Sequence, residues 1–146
     1  MAKVIEIAIT KNFKEKMQKV DSISALAGKG LVNDRHFSEN TNKKCQITLI
    51  EIENIKYYNS LSGSSILPIN FRRNIITEGV RLNALVGKEF YIGDVKVKAH
   101  DLCRPCKFLQ ETLKQKQLVQ KLLLKGGLRC EILSDGNIYT NSEIKY

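Results

Sequence analysis

The chain has 146 residues, 42% of them hydrophobic, and a formal charge of +9. That length builds a core without disulfide staples and points to one domain, residues 1–146, and no apolar run approaches the length of a membrane span. The charge raises a nucleic-acid reading, but the lysines are scattered and no aromatics are interleaved with basic residues as stacking platforms, so nucleic acid is excluded and a small anionic ligand is not.

The opening residues, Met-Ala-Lys-Val-Ile-Glu-Ile, carry Glu6 inside their apolar stretch and lack a small-residue cleavage pattern. No signal peptide is expected, and the expected compartment is the cytoplasm. There, the four cysteines read as free thiols, catalytic groups or metal ligands rather than structural disulfides.

Val4 to Thr10 is rich in β-branched residues and reads as an opening strand. Residues 26–36 read as a loop, punctuated by two glycines and an Asn-Asp pair. Gln46 to Ile50 is a second strand, and Glu51 to Asn59 is helical, with Ile52, Ile55 and Tyr58 spaced for one buried face. Gly63-Ser64-Ser65 marks a turn, and Arg72 to Thr77 a short strand. Phe90 to Ile92, Gly93-Asp94 and Val95 to Ala99 form a hairpin. Residues 107–125 read as one long helix with Leu109, Leu113, Val119, Leu122 and Leu123 inward, its outer face carrying Lys107, Lys114, Lys121 and Lys125, and Gly126-Gly127 as its stop. The chain closes on another predicted hairpin, Leu128 to Leu133 and Ile138 to Thr140 around Asp135-Gly136. Many short strands with one or two prominent helices make the expected fold class α+β, mainly β and barrel-like.

The sharpest chemical signal is Cys103-Arg104-Pro105-Cys106, set between the predicted strand and the predicted helix. A thiol at a helix start, with Arg104 and Lys107 beside it, is favoured as a thiolate. Such a sulfur is a nucleophile, a sulfur carrier or a metal ligand. The spacing first suggests thioredoxin-type exchange. However, only Pro68 and Pro105 are present, so no later proline faces the dithiol. Zinc would need a second close pair, and Cys45, Cys130, His36 and His100 are all isolated in sequence. Cys45 and Cys130, in or beside strands, are expected to be buried and inert. On composition, Asp34-Arg35-His36 is a surface turn with a salt bridge. Arg72-Arg73-Asn74 is either a pair of surface ion partners or a planar fork for phosphate or carboxylate. Asn83 reads as a turn cap.

The order of these pieces carries a resemblance. GlyxxxAsp-Arg-His at 30–36 is followed by GlnxThrLeuIle at 46–50 and Arg-Arg-Asn-Ile-Ile-Thr-x-Gly at 72–79. Then come Leu-Asn-Ala-Leu-Val-Gly-Lys-x-Phe-x-Ile-Gly-Asp at 82–94, LeuCysxProCysxxLeu at 102–109 and Gly-Leu-Arg at 127–129. The succession resembles the MOSC domain family, named for the C-terminal domain of molybdenum cofactor sulfurases, in its short stand-alone bacterial form. It covers about residues 28 to 144.

The resemblance implies a β-rich, barrel-like fold and a cysteine that carries sulfur or binds molybdenum in a molybdopterin cofactor. The recurrent cysteine of the pattern falls on Cys106, the implied catalytic thiol and molybdenum ligand, with Cys103 in a secondary catalytic role. Arg35 and His36 match the Asp-Arg-His loop, and Arg73 and Asn74 match the Arg-Asn block, both implied to build the anion pocket for the pterin. These four are expected to converge on the Cys106 side of the barrel. The implied partner is a pyridoxal-phosphate-dependent cysteine desulfurase or a separate redox partner, since the chain carries no flavin, haem or Fe–S motif of its own. The alternatives are a non-catalytic cofactor-delivery module and a CxPC dithiol oxidoreductase. Two positions depart from the family pattern. Asn33 stands where a glycine is usual, and asparagine tolerates a left-handed backbone. Asn141-Ser142 stands in place of Gly-Asp.

Overall fold

A computed structural model of the chain describes every residue except Thr41, Pro105, Cys106 and Lys116, and of Lys107 and Phe108 only the backbone. Its elements in chain order are β1 (Lys3–Ile9), β2 (Gln18–Val20), β3 (Ser22–Leu26), β4 (Gly30–Leu31), β5 (Ile47–Glu51), α1 (Ile52–Ser62), β6 (Ile75–Glu78), β7 (Glu89–Ile92), β8 (Val95–Leu102), α2 (Lys107–Thr112), α3 (Leu118–Lys121), β9 (Leu128–Ile132), β10 (Gly136–Tyr139) and β11 (Ile144–Lys145). Short 3-10 turns lie at Lys43–Cys45, Pro68–Phe71 and Leu82–Leu85.

Eight strands form one sheet in the order β11-β7-β8-β9-β5-β6-β1-β2, which curls into a half-barrel, and β10-β3-β4 form a second sheet. Every pairing is antiparallel except β5 with β6, which needs a crossover, and α1 supplies it. The fold is therefore mainly β with few short helices, in the α+β class expected. The alternation along each strand sorts its side chains. In β8, Val95, Val97 and Ala99 point into the inner core, which also holds Leu49, Ile75, Phe90, Leu128 and Cys130. A second core on the opposite face packs Ile52, Ile55 and Tyr58 of α1 against Ile50, Phe71, Ile76, Leu109, Leu118 and Leu122. The predicted buried face of α1 is the observed one. Among the described residues, no helix is long and apolar enough to cross a membrane.

Several sequence expectations are corrected. Within residues 26–36, Gly30 and Leu31 form a strand that pairs with β3. The strand expected from Arg72 begins at Ile75, because Arg72 takes a left-handed conformation (φ 64°) that ends the preceding 3-10 turn. The closing hairpin does not form. Both edges of β9 are taken, by β5 and β8, and β10 crosses to pair with β3. Asp135 anchors that crossing by accepting the Ala27 N–H at 2.7 Å.

The long helix is broken into α2 and α3. Lys114 and Gln117 between them are left-handed, and Gln110 Oε1 accepts the Val119 N–H at 3.1 Å, so a side chain replaces the helical bond. Leu109 and Leu122 do point inward. Leu123, expected with them, is 63% exposed.

Candidate functional site

The CxPC segment leaves the end of β8, whose register against β9 shifts at a bulge between Ala99 and Asp101. Beyond the bulge, Asp101 faces Arg129 and Leu102 faces Leu128. The Cys103 N–H then donates to the Gly127 carbonyl at 2.7 Å. Gly127 is held at φ 97°, and a Cβ there would stand 1.7 Å from the Leu49 carbonyl oxygen. Only glycine lets the chain pass this close to β5 and deliver Cys103 and Arg129 to the same end of the sheet.

Arg129 is the charged centre of that end. Its guanidinium grips Asp101 with two hydrogen bonds, Nε to Oδ1 at 2.8 Å and Nη2 to Oδ2. Nη1 points at Cys45 Sγ, 3.6 Å away. The Arg129 hydrogen bond holds the Asp101 carboxyl below its ordinary range, and the same pairing pushes the guanidinium up. Cys103 is buried, and burial pushes its thiol up; the charges of Arg73 and Arg129 pull partly the other way. Cys130 lies in the inner core, its thiol pushed up by burial, as an inert structural cysteine should be. Cys45, expected to behave likewise, is instead half-buried and placed on Arg129. The 3-10 turn at Lys43–Cys45 carries it over β9, where the strand reading had no reason to put it.

The Arg-Asn and Asp-Arg-His blocks meet through two buried polar residues. Asn74 Nδ2 donates to Asp34 Oδ1 at 3.3 Å and to the Ala8 carbonyl at 3.1 Å. Its Oδ1 accepts from the Thr48 N–H at 3.1 Å and hydroxyl at 3.2 Å. Both donors and both acceptor positions of this amide are spent inside the protein, so Asn74 acts by position. Thr48 sits opposite Arg129 in the β5–β9 register, which ties the cluster to the thiol end.

Asp34 also accepts the Thr10 N–H at 3.2 Å. Burial pushes its carboxyl up, but the His36 ring, the Thr10 N–H and the charge of His36 outweigh burial and hold it below its ordinary range. His36 Nδ1 is 3.4 Å from Asp34 Oδ2 and, among the described residues, makes no hydrogen bond.

The named residues therefore fall into distinct positions. Arg73 donates from Nε to the Gly126 carbonyl at 2.9 Å, which places its charge beside Cys103. The loop of Arg35 and His36 abuts Asn74, but the Arg35 guanidinium turns to Phe13, 5.3 Å from that ring. Cys106 lies outside the described residues. Asn33 is left-handed at φ 71°, as its replacement of glycine required. Asn83 Nδ2 reaches the Leu124 carbonyl at 2.8 Å, so it ties together two segments rather than capping its own turn.

Sequence reading passed over Arg129, Asp101, Cys45 and Asp34 as site residues. Arg129 and Asp34 were visible inside the Gly-Leu-Arg and Asp-Arg-His blocks. Nothing in the sequence marked Cys45, whose placement depends on how three strands align.

A cleft of about 730 Å³ opens beside Cys103 and is lined also by Asp101 and Arg104. Among the described residues, Arg35, His36, Arg73 and Asn74 are not on its walls. The thiol end thus has two flanks: a polar frame of arginines and buried amide, carboxylate and hydroxyl groups, and an open cleft.

The whole architecture matches solved structures. The YuaD protein from Bacillus subtilis superposes with a TM-score of 0.82 at 22% identity, covering 99% of this chain and 96% of that one. YiiM from Geobacillus stearothermophilus gives 0.78 at 15% identity over 99% of this chain and 74% of its own. YiiM from Escherichia coli gives 0.74 at 16% identity over 99% and 69%. At these identities the likeness establishes the fold. No curated protein matches the sequence. The sequence pattern of the MOSC domain matches residues 33–145, from the Asn33 turn through the last strand, and so takes in every residue of the thiol end: the chain belongs to the MOSC domain family.

Proposed function

We propose that this protein binds a molybdopterin cofactor, or a related sulfur-bearing species, at the thiol end of its sheet, with Cys106 as the sulfur carrier or molybdenum ligand and Cys103 in a secondary role. The observation that carries this reading is the pair Arg73 and Arg129 beside the first thiol of the CxPC segment. A soft sulfur donor framed by fixed cations suits a group that is both anionic and thiophilic. In this reading molybdenum comes with the pterin as its own ligand and takes a thiol as one further donor. Arg73 donates from Nε to the Gly126 carbonyl and from Nη1 to the Phe71 carbonyl, which fixes its charge beside Cys103. That fixed charge next to a thiol is what fits an anionic, sulfur-seeking group.

When bound, such a cofactor supplies two-electron redox chemistry or accepts a terminal sulfur. The chain's own residues have simpler tasks in this reading. Arg73 meets negative charge, and Asn74 and Asp34 fix the loop that carries Arg35 and His36. Arg129 keeps Asp101 ionised and paired, so that no free carboxylate repels the ligand. As a carrier, the Cys106 thiolate attacks the outer sulfur of a persulfide on a pyridoxal-phosphate-dependent cysteine desulfurase. The S–S bond of the donor breaks, its thiolate leaves, and Cys106 holds the persulfide. As an enzyme, the protein receives electrons from a separate redox partner. We place it in the cytoplasm, as one MOSC domain over residues 1–146.

The test is metal analysis with fluorescence detection of oxidised pterin, on protein made in a host that produces the cofactor. Stoichiometric molybdenum and pterin favour the enzyme or a delivery module, and sulfane sulfur without metal favours the carrier. Finding neither molybdenum, pterin nor sulfane sulfur rejects the reading.

A further inference from the structure

Exposed apolar side chains wall the cleft beside Cys103. Leu123 and Leu124, each 63% exposed, line it together with Val86, 41% exposed. Leu124 is also held at φ 63°, a left-handed conformation that a leucine adopts only at a cost of roughly 1 kcal/mol or more. Its carbonyl is fixed there by the Asn83 side chain at 2.8 Å. An apolar side chain kept in water on a strained backbone gains nothing from burial. Strain of this kind collects where a ligand is to be met.

The walls of the cleft are mostly apolar, from Val86, Leu102, Val119, Leu123 and Leu124. Of the charged side chains that line it among the described residues, Asp101 is already paired with Arg129 and Arg104 is exposed, so the charge left over is positive. The volume, about 730 Å³, is that of a site for an organic molecule of several rings rather than for a single ion.

We propose that this cleft binds a small organic anion with an apolar, ring-sized body, its rings between Leu102, Val119, Leu123 and Leu124 and its acidic group at Arg104, next to the thiol. Among the described residues, Arg73, His36 and Asn74 are not on its walls, so the cleft places an organic molecule beside Cys103 on the flank away from that polar frame.

Anilinonaphthalene sulfonate is a suitable probe for the full-length, metal-free protein, which contains no tryptophan to complicate the fluorescence. Saturable binding to one site is expected. Leu123→Asp and Leu124→Asn should each weaken it about tenfold or more, the order lost when a leucine stops covering an apolar ring. Arg104→Gln should weaken the sulfonate but not the uncharged parent amine. Leu124→Asn should also match or exceed the thermal stability of the parent, because asparagine accepts the left-handed backbone. Leu123 lies outside the strained position and serves if Leu124→Asn fails to fold. Absence of saturable binding, or binding unchanged by both leucine substitutions, overturns the proposal. Equal affinity for the sulfonate in Arg104→Gln overturns its anionic part. Molybdenum plays no role in the titration, so this inference and the cofactor reading fail independently.

Discussion

Asn74 Nδ2 lies 3.3 Å from Asp34 Oδ1, joining two blocks forty residues apart through one buried hydrogen bond. Because Asn74 also satisfies Thr48 and Ala8, its removal leaves several buried groups without partners at once. Asn74→Ala is expected to cost on the order of 3 kcal/mol of stability. Urea unfolding measures it, and a loss under about 1 kcal/mol would show that the amide is not the hub described.

Asp34 gives the protein an acid sensitivity of definite sign. Its carboxyl titrates below the ordinary 3.8 in the folded state, so the folded chain binds this proton less readily than the unfolded one. The resulting stabilisation is complete above that ordinary value and disappears as pH falls through the lower, folded one. Urea midpoints should therefore drop as pH is taken below about 4 in the parent. Asp34→Asn should be less stable near neutrality and show a shallower acid slope. Parallel slopes in the two proteins would remove Asp34 as the cause.

The two thiols of the CxPC segment should differ in reactivity. Burial raises the Cys103 thiol, so Cys103 is expected to alkylate slowly at neutral pH and to catch up only in alkali. Cys106 should react faster. Cys106→Ser should abolish molybdenum retention or sulfur transfer, with Cys103→Ser keeping much of it. Thiol-reagent kinetics across pH on each single variant decide the ranking, and an equal or greater loss in Cys103→Ser reverses it. The helix after Cys106 has six residues rather than the nineteen of the predicted span, so its end offers fewer aligned peptides than that span implied.

Arg73→Ala should weaken a phosphate-bearing ligand about ten- to a hundredfold, since one charge-assisted hydrogen bond is worth roughly 1.5–3 kcal/mol. The guanidinium also holds the Gly126 carbonyl at 2.9 Å, so Arg73→Lys, which keeps the charge and loses the planar fork, is the informative companion. Calorimetric titration with a pterin phosphate compares the two. Full affinity in Arg73→Ala would take Arg73 out of the pocket.

What was legible in the sequence is what local physics controls. The Phe90–Ala99 hairpin was marked by its Gly93-Asp94 turn, and the buried face of α1 by the spacing of Ile52, Ile55 and Tyr58. The left-handed turn at Asn33 was legible because it stands where the family pattern has glycine and asparagine tolerates that conformation. What was hidden depends on partners. Asp135-Gly136 announces a turn but not which strand follows it into which sheet, and β10 went to β3. The leucines of 107–125 keep helical spacing across a break made by the Gln110 side chain, which no periodicity registers. Arg129, Asp101 and Cys45 become neighbours only once β5, β8 and β9 are in register.

β9 lies between β5 and β8, though both precede it in the chain. Until residues 128–132 are made, those two strands each expose a bare edge, and Gln46 lacks the Ile132 N–H that its side chain accepts at 2.8 Å. Synthesis thus leaves the reactive end of the molecule unfinished until residues 128–132 are made. Such late, long-range insertion makes for slow folding with a sticky half-built precursor. A ribosome stalled before Leu128 would carry a chain prone to pair edge to edge with its neighbours, and one with no assembled thiol site to misfire on cellular sulfur.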